Sequence, residues 1–428
     1  MKLTLERIGA VGSASIELAG LTVLAGENDT GKSTIGKVAF ALVQAFSTFP
    51  VAFNAGSRNR LRREVELAYL RLRRVVDVAE FSAARALFSQ LRIRPMEALN
   101  LEFADVERIV RDGDGSNITP EELERVLKEI NSIWHGIDRI KSEMSDSSTE
   151  SEVLGKMIHR ALKSEFAGSI QHSPREAPAR VAFSDGATAV LEILVEDRGV
   201  VGFSGGEPLG LRDATLVDGP AILQFYPAIG GYDGLNVTGK SSHLNAIPYH
   251  IVDLARKLKQ AGVVSKDSAV PVGINGIYDG DFLYDDDRDN FFLQRSGVSI
   301  PSVNVASGIK ALSIVEILCR GDYIGDDTLL ILDEPETNLH PAWQIAYARM
   351  ICELVKRGAR ILVTTHSPYM LEALKGYVSP EVESKFYLAE RGEGGINYID
   401  TMGDITPIIE TLSRPLLSLL DEVSKEGF

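Results

Sequence analysis

Residues 26–33 read GENDTGKS and fit the pattern G-x-x-x-x-G-K-[ST]. No other feature constrains the chain as tightly. The apolar run LTVLA precedes it and the helical pattern STIGKVAFALVQAF follows. Strand, glycine-rich loop and helix are the context this pattern needs to hold phosphate. Backbone N–H groups at 28–33 point into the loop at a helix N-terminus, where the peptide dipoles favour an anion. The expected phosphate contacts are Gly26, Asn28, Asp29, Thr30, Gly31, Lys32, Ser33 and Thr34. Lys32 reaches the β- and γ-phosphates, and the Ser33 hydroxyl holds Mg²⁺.

Three further motifs follow. TLLILDEPETNLHP (328–341) is a hydrophobic strand that delivers Asp333 and Glu334 to its C-terminal end, where open α/β sheets bind ligands. Asp333 is expected to hold Mg²⁺ through water, and Glu334 to act as general base on the attacking water. TTHSP (364–368) ends the next strand, so His366 is positioned to sense a γ-phosphate. NVASGIKALSIVEIL (304–318) offers Ser307 as the N-cap of a helix, with Gly308 permitting close approach. Its N-terminus is a second anion site. One nucleotide does not need two such sites in one subunit, so this one is expected to grip the nucleotide of another copy.

The rest of the chain is longer than these motifs require. Its 428 residues imply two or three structural units. From about residue 58 to 140 the pattern is helical. EELERVLKEINSIWHGIDRI spaces Leu123, Leu127, Ile130, Trp134 and Ile137 alternately three and four apart. Near Arg180 the period becomes two, and RVAFSDGATAVLEILVED reads as a hairpin turning at Asp185-Gly186. From Pro301 onward apolar strands and helices alternate, as an α/β sheet requires.

The net charge of −15 opposes broad attraction to nucleic acid or anionic membrane. A local exception is the arginine-rich stretch at 58–94. Arg62, Arg63, Arg73 and Arg74 make nucleic acid or an acidic partner a candidate ligand there. No apolar run reaches membrane-spanning length, and the first residues lack a signal-peptide layout, so a cytoplasmic protein without membrane contact is expected. Cys319 and Cys352 both fall in apolar helical stretches and read as buried thiols.

GENDTGKS, ASGIK, DEPETNLHP and TTHSPY, in this order, resemble the ABC-type ATPase head. More narrowly they resemble AAA-family ATPases related to OLD (overcoming lysogenization defect) proteins and to SMC and RecF heads. The likeness covers about 1–46 and 300–400. It implies an α/β fold: an ABC-type P-loop ATPase head with a helical insertion and an antiparallel β subdomain. The head halves are expected at 1–50 and 301–428, the helical insertion at 51–170, and a β-rich and helical part of the head at 171–300.

The resemblance further implies ATP and Mg²⁺ sandwiched between two heads, with Ser307 and Gly308 acting in trans. Lys310 stands where transporters carry glutamine, and Asn338 and His340 belong to the loop that crosses the dimer interface. A glutamine loop is expected to add a Mg²⁺ contact, with Gln224 in AILQFYP as its candidate. Many OLD-type proteins carry a Toprim nuclease after the head. Here the tail reads as one amphipathic helix, and the acidic run DGDFLYDDDRD reads as a solvated turn. The expected function is an ATP-driven dimerisation switch in an anti-phage or toxin-type system, acting on a separate effector. The alternative is an SMC- or RecF-like DNA-maintenance ATPase that clamps DNA.

Overall fold

The computed structural model describes residues 1–49, 65, 82–93, 95–114, 119–144, 147–171, 177–186, 188–205, 209–229, 247–262, 277–392 and 394–426. Arg62, Arg63, Arg73 and Arg74 lie outside the described residues. The chain divides into two compact units, Met1–Ser47 with Gly155–Phe428, and Thr48–Leu154.

The first unit is built on an eleven-stranded mixed sheet. In chain order its strands are β1 (Lys2–Ile8), β2 (Val11–Glu17), β3 (Leu21–Ala25), β4 (Ala179–Asp185), β5 (Thr188–Glu196), β6 (Gly199–Gly205) and β7 (Asp213–Val217). A three-stranded antiparallel sheet holds β8 (Asp281–Asp285), β9 (Asn290–Arg295) and β10 (Val298–Pro301). The large sheet is completed by β11 (Thr328–Asp333), β12 (Arg360–Thr365), β13 (Ser384–Gly392) and β14 (Gly395–Asp400), in the order β6-β5-β4-β1-β2-β14-β13-β3-β12-β11-β7. The strands from β13 to β7 run parallel. The antiparallel part, β6 to β2, continues the same sheet, and β4 and β5 turn at Asp185-Gly186 as the alternation predicts.

The central strands are apolar on both faces because helices cover both. The helix at 32–49 (α1) follows β3 and lies so close to the sheet that a Cβ on Gly36 would stand 2.9 Å from Ile331 Cγ2. On the other face, Val23, Leu330, Leu332 and Val363 share a core with the helices Ser307–Arg320 (α8), Pro341–Lys356 (α9) and Pro368–Tyr377 (α10). Cys352 is buried and Cys319 half-buried, and burial pushes both thiols up to about 12. This is the state of inert core thiols. The acidic run forms the β8–β9 turn, where Lys259 pairs with Asp289 at 2.9 Å. No helix among the described residues is long and apolar enough to cross a membrane.

The second unit has its own core. Leu123, Leu127, Ile130, Trp134 and Ile137 lie buried along one helix, Pro120–Met144 (α4). They pack with Phe88 and Leu91 of Ser82–Ile93 (α2) and with Val106 and Val110 of Phe103–Asp114 (α3). The boundary at Leu154 and Gly155 falls inside the helix Ser147–Glu165 (α5). Two more helices complete the first unit, Ala221–Ile229 (α6) and Tyr249–Gly262 (α7).

A buried charge group ties α5, α7 and β7 together. His250 Nδ1 lies 2.5 Å from Glu165 Oε2, and its Nε2 lies 3.2 Å from Asp218 Oδ2. Glu165 Oε1 also accepts the His250 backbone N–H at 3.0 Å, and Ser164 Oγ accepts that of Tyr249. With an acceptor on each side, both ring nitrogens are donors. Burial alone would lower the pKa of His250, but its hydrogen bonds to Asp218 and Glu165, reinforced by their charges, push it up to about 9. The free imidazole titrates near 6.5. The group therefore stabilises the fold fully below about pH 6.5, and that contribution fades as the pH rises through about 9. In nucleotide-free urea titrations, the stability gap between wild type and His250→Gln should be on the order of 2–3 kcal/mol at pH 6 and shrink markedly by about pH 9.5.

Candidate nucleotide-binding site

Strand register brings three motifs to one edge of the sheet. Ala25 pairs with Thr365, and Asp333 pairs with Thr364, so β3, β12 and β11 end side by side. Neighbouring strands lie about 4.8 Å apart. Residues more than 300 positions apart in sequence therefore meet over a few ångströms.

The loop at 26–33 turns tightly. Asp29 and Gly31 both adopt left-handed backbone, with φ of 61° and 67°. Gly26 is required by space, because a Cβ there would stand 2.8 Å from the Ala389 carbonyl oxygen. Glu27, Asn28 and Asp29 are exposed, whereas Thr30 and Lys32 are buried. Lys32 Nζ donates to the carbonyls of Gly26 at 3.1 Å and Glu27 at 2.7 Å. Thr30 Oγ1 donates to the same Glu27 carbonyl at 2.8 Å, and Tyr398 Oη donates to the Thr30 carbonyl at 2.9 Å. Ser33 and Thr34 lie in the first turn of α1, and the Thr34 N–H bonds the Gly31 carbonyl at 3.0 Å. Burial lowers the pKa of Lys32, and Glu334, Asp333 and Glu336 act against that shift. The ammonium thus sits among neutral carbonyls, with carboxylates near enough to favour its charge.

The acidic pair follows. Thr364 Oγ1 donates to Asp333 Oδ1, and the Glu334 N–H bonds both the carbonyl and the hydroxyl of Thr364, at 3.1 and 3.0 Å. Glu334 adopts φ 49°, a left-handed conformation uncommon for a non-glycine residue. Its Oε1 lies 3.8 Å from Lys32 Nζ and 3.3 Å from His366 Nδ1. Lys32, Asp333, Glu334 and His366 therefore form one group.

Glu336 joins this group, and sequence reasoning missed it. It is 3% exposed. Its Oε1 accepts from Thr365 Oγ1 at 2.7 Å and from the His366 N–H at 2.8 Å. The same oxygen lies 3.5 Å from His366 Nδ1, while Oε2 is buried without a hydrogen-bond partner. The available signal was a third carboxylate in DEPE, two residues beyond the expected base.

The other predicted residues do not join this group within one chain. Ser307 is the first residue of α8 and not its N-cap: Ala306 holds that place, with no side-chain cap. The Ser307 hydroxyl makes no hydrogen bond among the described residues. Gly308 does allow a close approach, but to its own chain, since a Cβ there would stand 3.0 Å from Leu339 Cδ2 and from Trp343 Cε3. Lys310 is 4% exposed with no ion-pair partner among the described residues, and burial lowers its pKa. Asn338 is exposed with φ 63°. His340 is also exposed and caps α9, its Nδ1 accepting the Ala342 N–H at 3.3 Å. Gln224 lies exposed on α6 and forms no hydrogen bond to Ser33 or Asp333.

The donor set suits Mg²⁺ bound together with phosphate. Ser33 and Asp333 offer hard oxygens, and no group of three or more His, Cys, Asp or Glu side chains among the described residues could hold a metal ion. A cation here must take most of its oxygens from phosphate and water, which is how Mg²⁺ is commonly bound.

Comparison with known proteins finds a family match over part of the chain. A family described as "AAA domain, putative AbiEii toxin, Type IV TA system" matches residues 258–372, a range that holds Ser307, Asp333, Glu334 and His366. Protein ea59 of Escherichia phage lambda is 30% identical over 122 residues, 28% of this chain and 21% of that protein. The match thus spans about a fifth of that relative's length. Among solved structures, the SMC head domain from Thermotoga maritima is 11% identical with a TM-score of 0.38, covering 94% of this chain and 98% of that one. An SMC head bound to the C-winged helix domain of ScpA is 12% identical with a TM-score of 0.42, covering 93% and 97%. The matched domain, together with three motif loops on one edge of a mixed sheet, supports an AAA/ABC-type P-loop ATPase head.

Glu336→Ala would leave the His366 N–H and the Thr365 hydroxyl without their acceptor. It should cost about 1–3 kcal/mol in urea unfolding. Unchanged stability would show that these bonds are replaced.

Proposed function

We propose that the protein binds ATP with Mg²⁺, hydrolyses it, and uses the cycle to join and release two copies of its head. The observation that carries this reading is the grouping of Lys32, Asp333, Glu334 and His366 at one sheet edge, while the Ser307 hydroxyl makes no hydrogen bond among the described residues. Gly26 and residues Asn28 to Thr34 form the cradle, and Lys32 exchanges its loop carbonyls for phosphate oxygens. Ser33 and Asp333 hold Mg²⁺, which supplies charge neutralisation on the phosphates. Glu334 Oε1 takes the proton of the attacking water, while His366, held by Glu336 through its backbone, faces the same oxygen. Ser307, at the N-terminus of α8, meets the nucleotide of the second copy, with Asn338 and His340 in the crossing loop.

In the cell, the reading is an ATPase subunit of a toxin-type or anti-phage system that controls a separate effector. The description of the matched family supports the toxin-type half; kinship with OLD proteins rests on the motif resemblance. A DNA clamp is the second reading, favoured by the arginines at 62, 63, 73 and 74, and DNA-stimulated hydrolysis distinguishes it.

Glu334→Gln tests the chemistry. It removes the base and leaves the cradle, so ATP binding should persist while turnover falls by about 10²–10⁴-fold. Size-exclusion chromatography should show an ATP-dependent dimer that outlasts the wild-type one. Wild-type turnover in this variant would remove Glu334 from the role.

A further inference from the structure

β7 is the parallel neighbour of β11, so its C-terminal end opens on the same edge as the phosphate loop. Val217 is the last paired residue of β7 and stands opposite Leu332. The next residues on the two strands are Asp218 and Asp333. Asp218 thus leaves the end of β7 one step beyond the pairing of Val217 with Leu332, at the same sheet edge where Asp333 ends β11.

Its surroundings set it apart from an ordinary strand-end aspartate. The Asp218 side chain is 38% exposed, and Oδ2 is held by His250 Nε2 at 3.2 Å. Oδ1 has no hydrogen-bond partner among the described residues. A Cβ on the adjoining Gly219 would meet nothing within 4 Å, so the strand end is open on that side. His250 itself is fixed from three directions: Glu165 at the end of α5 holds Nδ1 and the backbone N–H, and Phe40 of α1 packs edge-on against the ring with centroids 6.1 Å apart. Phe40 belongs to the helix that begins at Lys32. The imidazole that holds Asp218 is thus fixed against the phosphate-loop helix itself.

We propose that Asp218 is a further residue of the nucleotide site, ordering the water around Mg²⁺·ATP, and that His250 is its positioning residue. The inference rests on the reading that the loop at 26–33 binds ATP. Asp218 then supplies the further Mg²⁺-side contact that was expected of Gln224. A carboxylate can serve there because His250 fixes one oxygen and offsets part of its charge, leaving the other oxygen for water. Glu165 and Phe40 hold the ring, so the position of Asp218 follows that of α1.

The test uses the full chain. ATP binding is measured by calorimetry without metal and across a Mg²⁺ titration, with steady-state hydrolysis alongside, for wild type, Lys32→Ala, Asp218→Asn and His250→Gln. Asp218→Asn should leave metal-free ATP affinity unchanged. It should lower kcat by about 10- to 100-fold and raise the Mg²⁺ concentration for half-maximal ATP binding several-fold, as loss of a water-mediated partner does. His250→Gln should move both quantities in the same direction by a smaller factor. If His250→Gln does not fold by circular dichroism, Asp218→Asn decides alone. Wild-type kcat and Mg²⁺ dependence in Asp218→Asn, while Lys32→Ala loses ATP, would overturn this inference and leave the ATP reading standing. A wild-type chain that binds no ATP would overturn both.

Discussion

The parallel pairing of β3, β12, β11 and β7 is the constraint on which the rest of the site depends. Ala25 opposite Thr365, Thr364 opposite Asp333, and Leu332 opposite Val217 fix where each loop leaves the sheet. Side chains alternate faces along a strand, so a slip of one residue would turn Asp333 away from the loop it serves. The register is held by the two-sided apolar core, with α1 on one face and α8, α9 and α10 on the other. Packing thereby determines which charged groups meet.

Those groups then settle one another. Lys32 is 3% exposed, a costly place for an ammonium unless it is solvated by the chain. Two loop carbonyls do this, and Glu334, Asp333 and Glu336 favour its charge. Glu334 in turn needs its left-handed backbone to bring Oε1 within 3.8 Å of Lys32 and 3.3 Å of His366. Such strained positions persist where the surroundings over-determine them. Here the surroundings are two hydrogen bonds from the Glu334 N–H to Thr364. Thr364 also donates to Asp333, so one threonine of β12 orients both members of the acidic pair.

The sequence made the phosphate loop, the acidic strand end and the histidine legible, because each is a contiguous motif at the end of an apolar run. The α/β class was legible for the same reason. Glu336 and Asp218 were not, since their importance depends on which strands are neighbours, and no local spacing encodes that. Gln224 was favoured for its amide, yet it lies exposed in the first turn of α6, seven residues past the end of β7. Ser307 was read as a cap from its residue type, whereas Ala306 is the N-cap and Ser307 is already the first residue of the helix. Gly308 illustrates a different limit. Its lack of a side chain is explained by Leu339 and Trp343 of its own chain, a packing reason that does not depend on a second copy.

The central claim is that a working site is assembled from two copies, with the cradle from one and Ser307 from the other. Lys32→Ala spoils the cradle of its own chain, and Ser307→Arg blocks the site that its mate contributes to. Alone, each forms pairs with two defective sites. Mixed, with subunit exchange verified, they form pairs in which both defects fall on one site and the other is intact. The most direct measurement is ATP hydrolysis, together with ATP-dependent cross-linking, across a series of mixing ratios. The account predicts partial recovery that tracks the mixed-pair fraction, at least in cross-linking if the two sites must fire together. Recovery of neither signal at any ratio would contradict it.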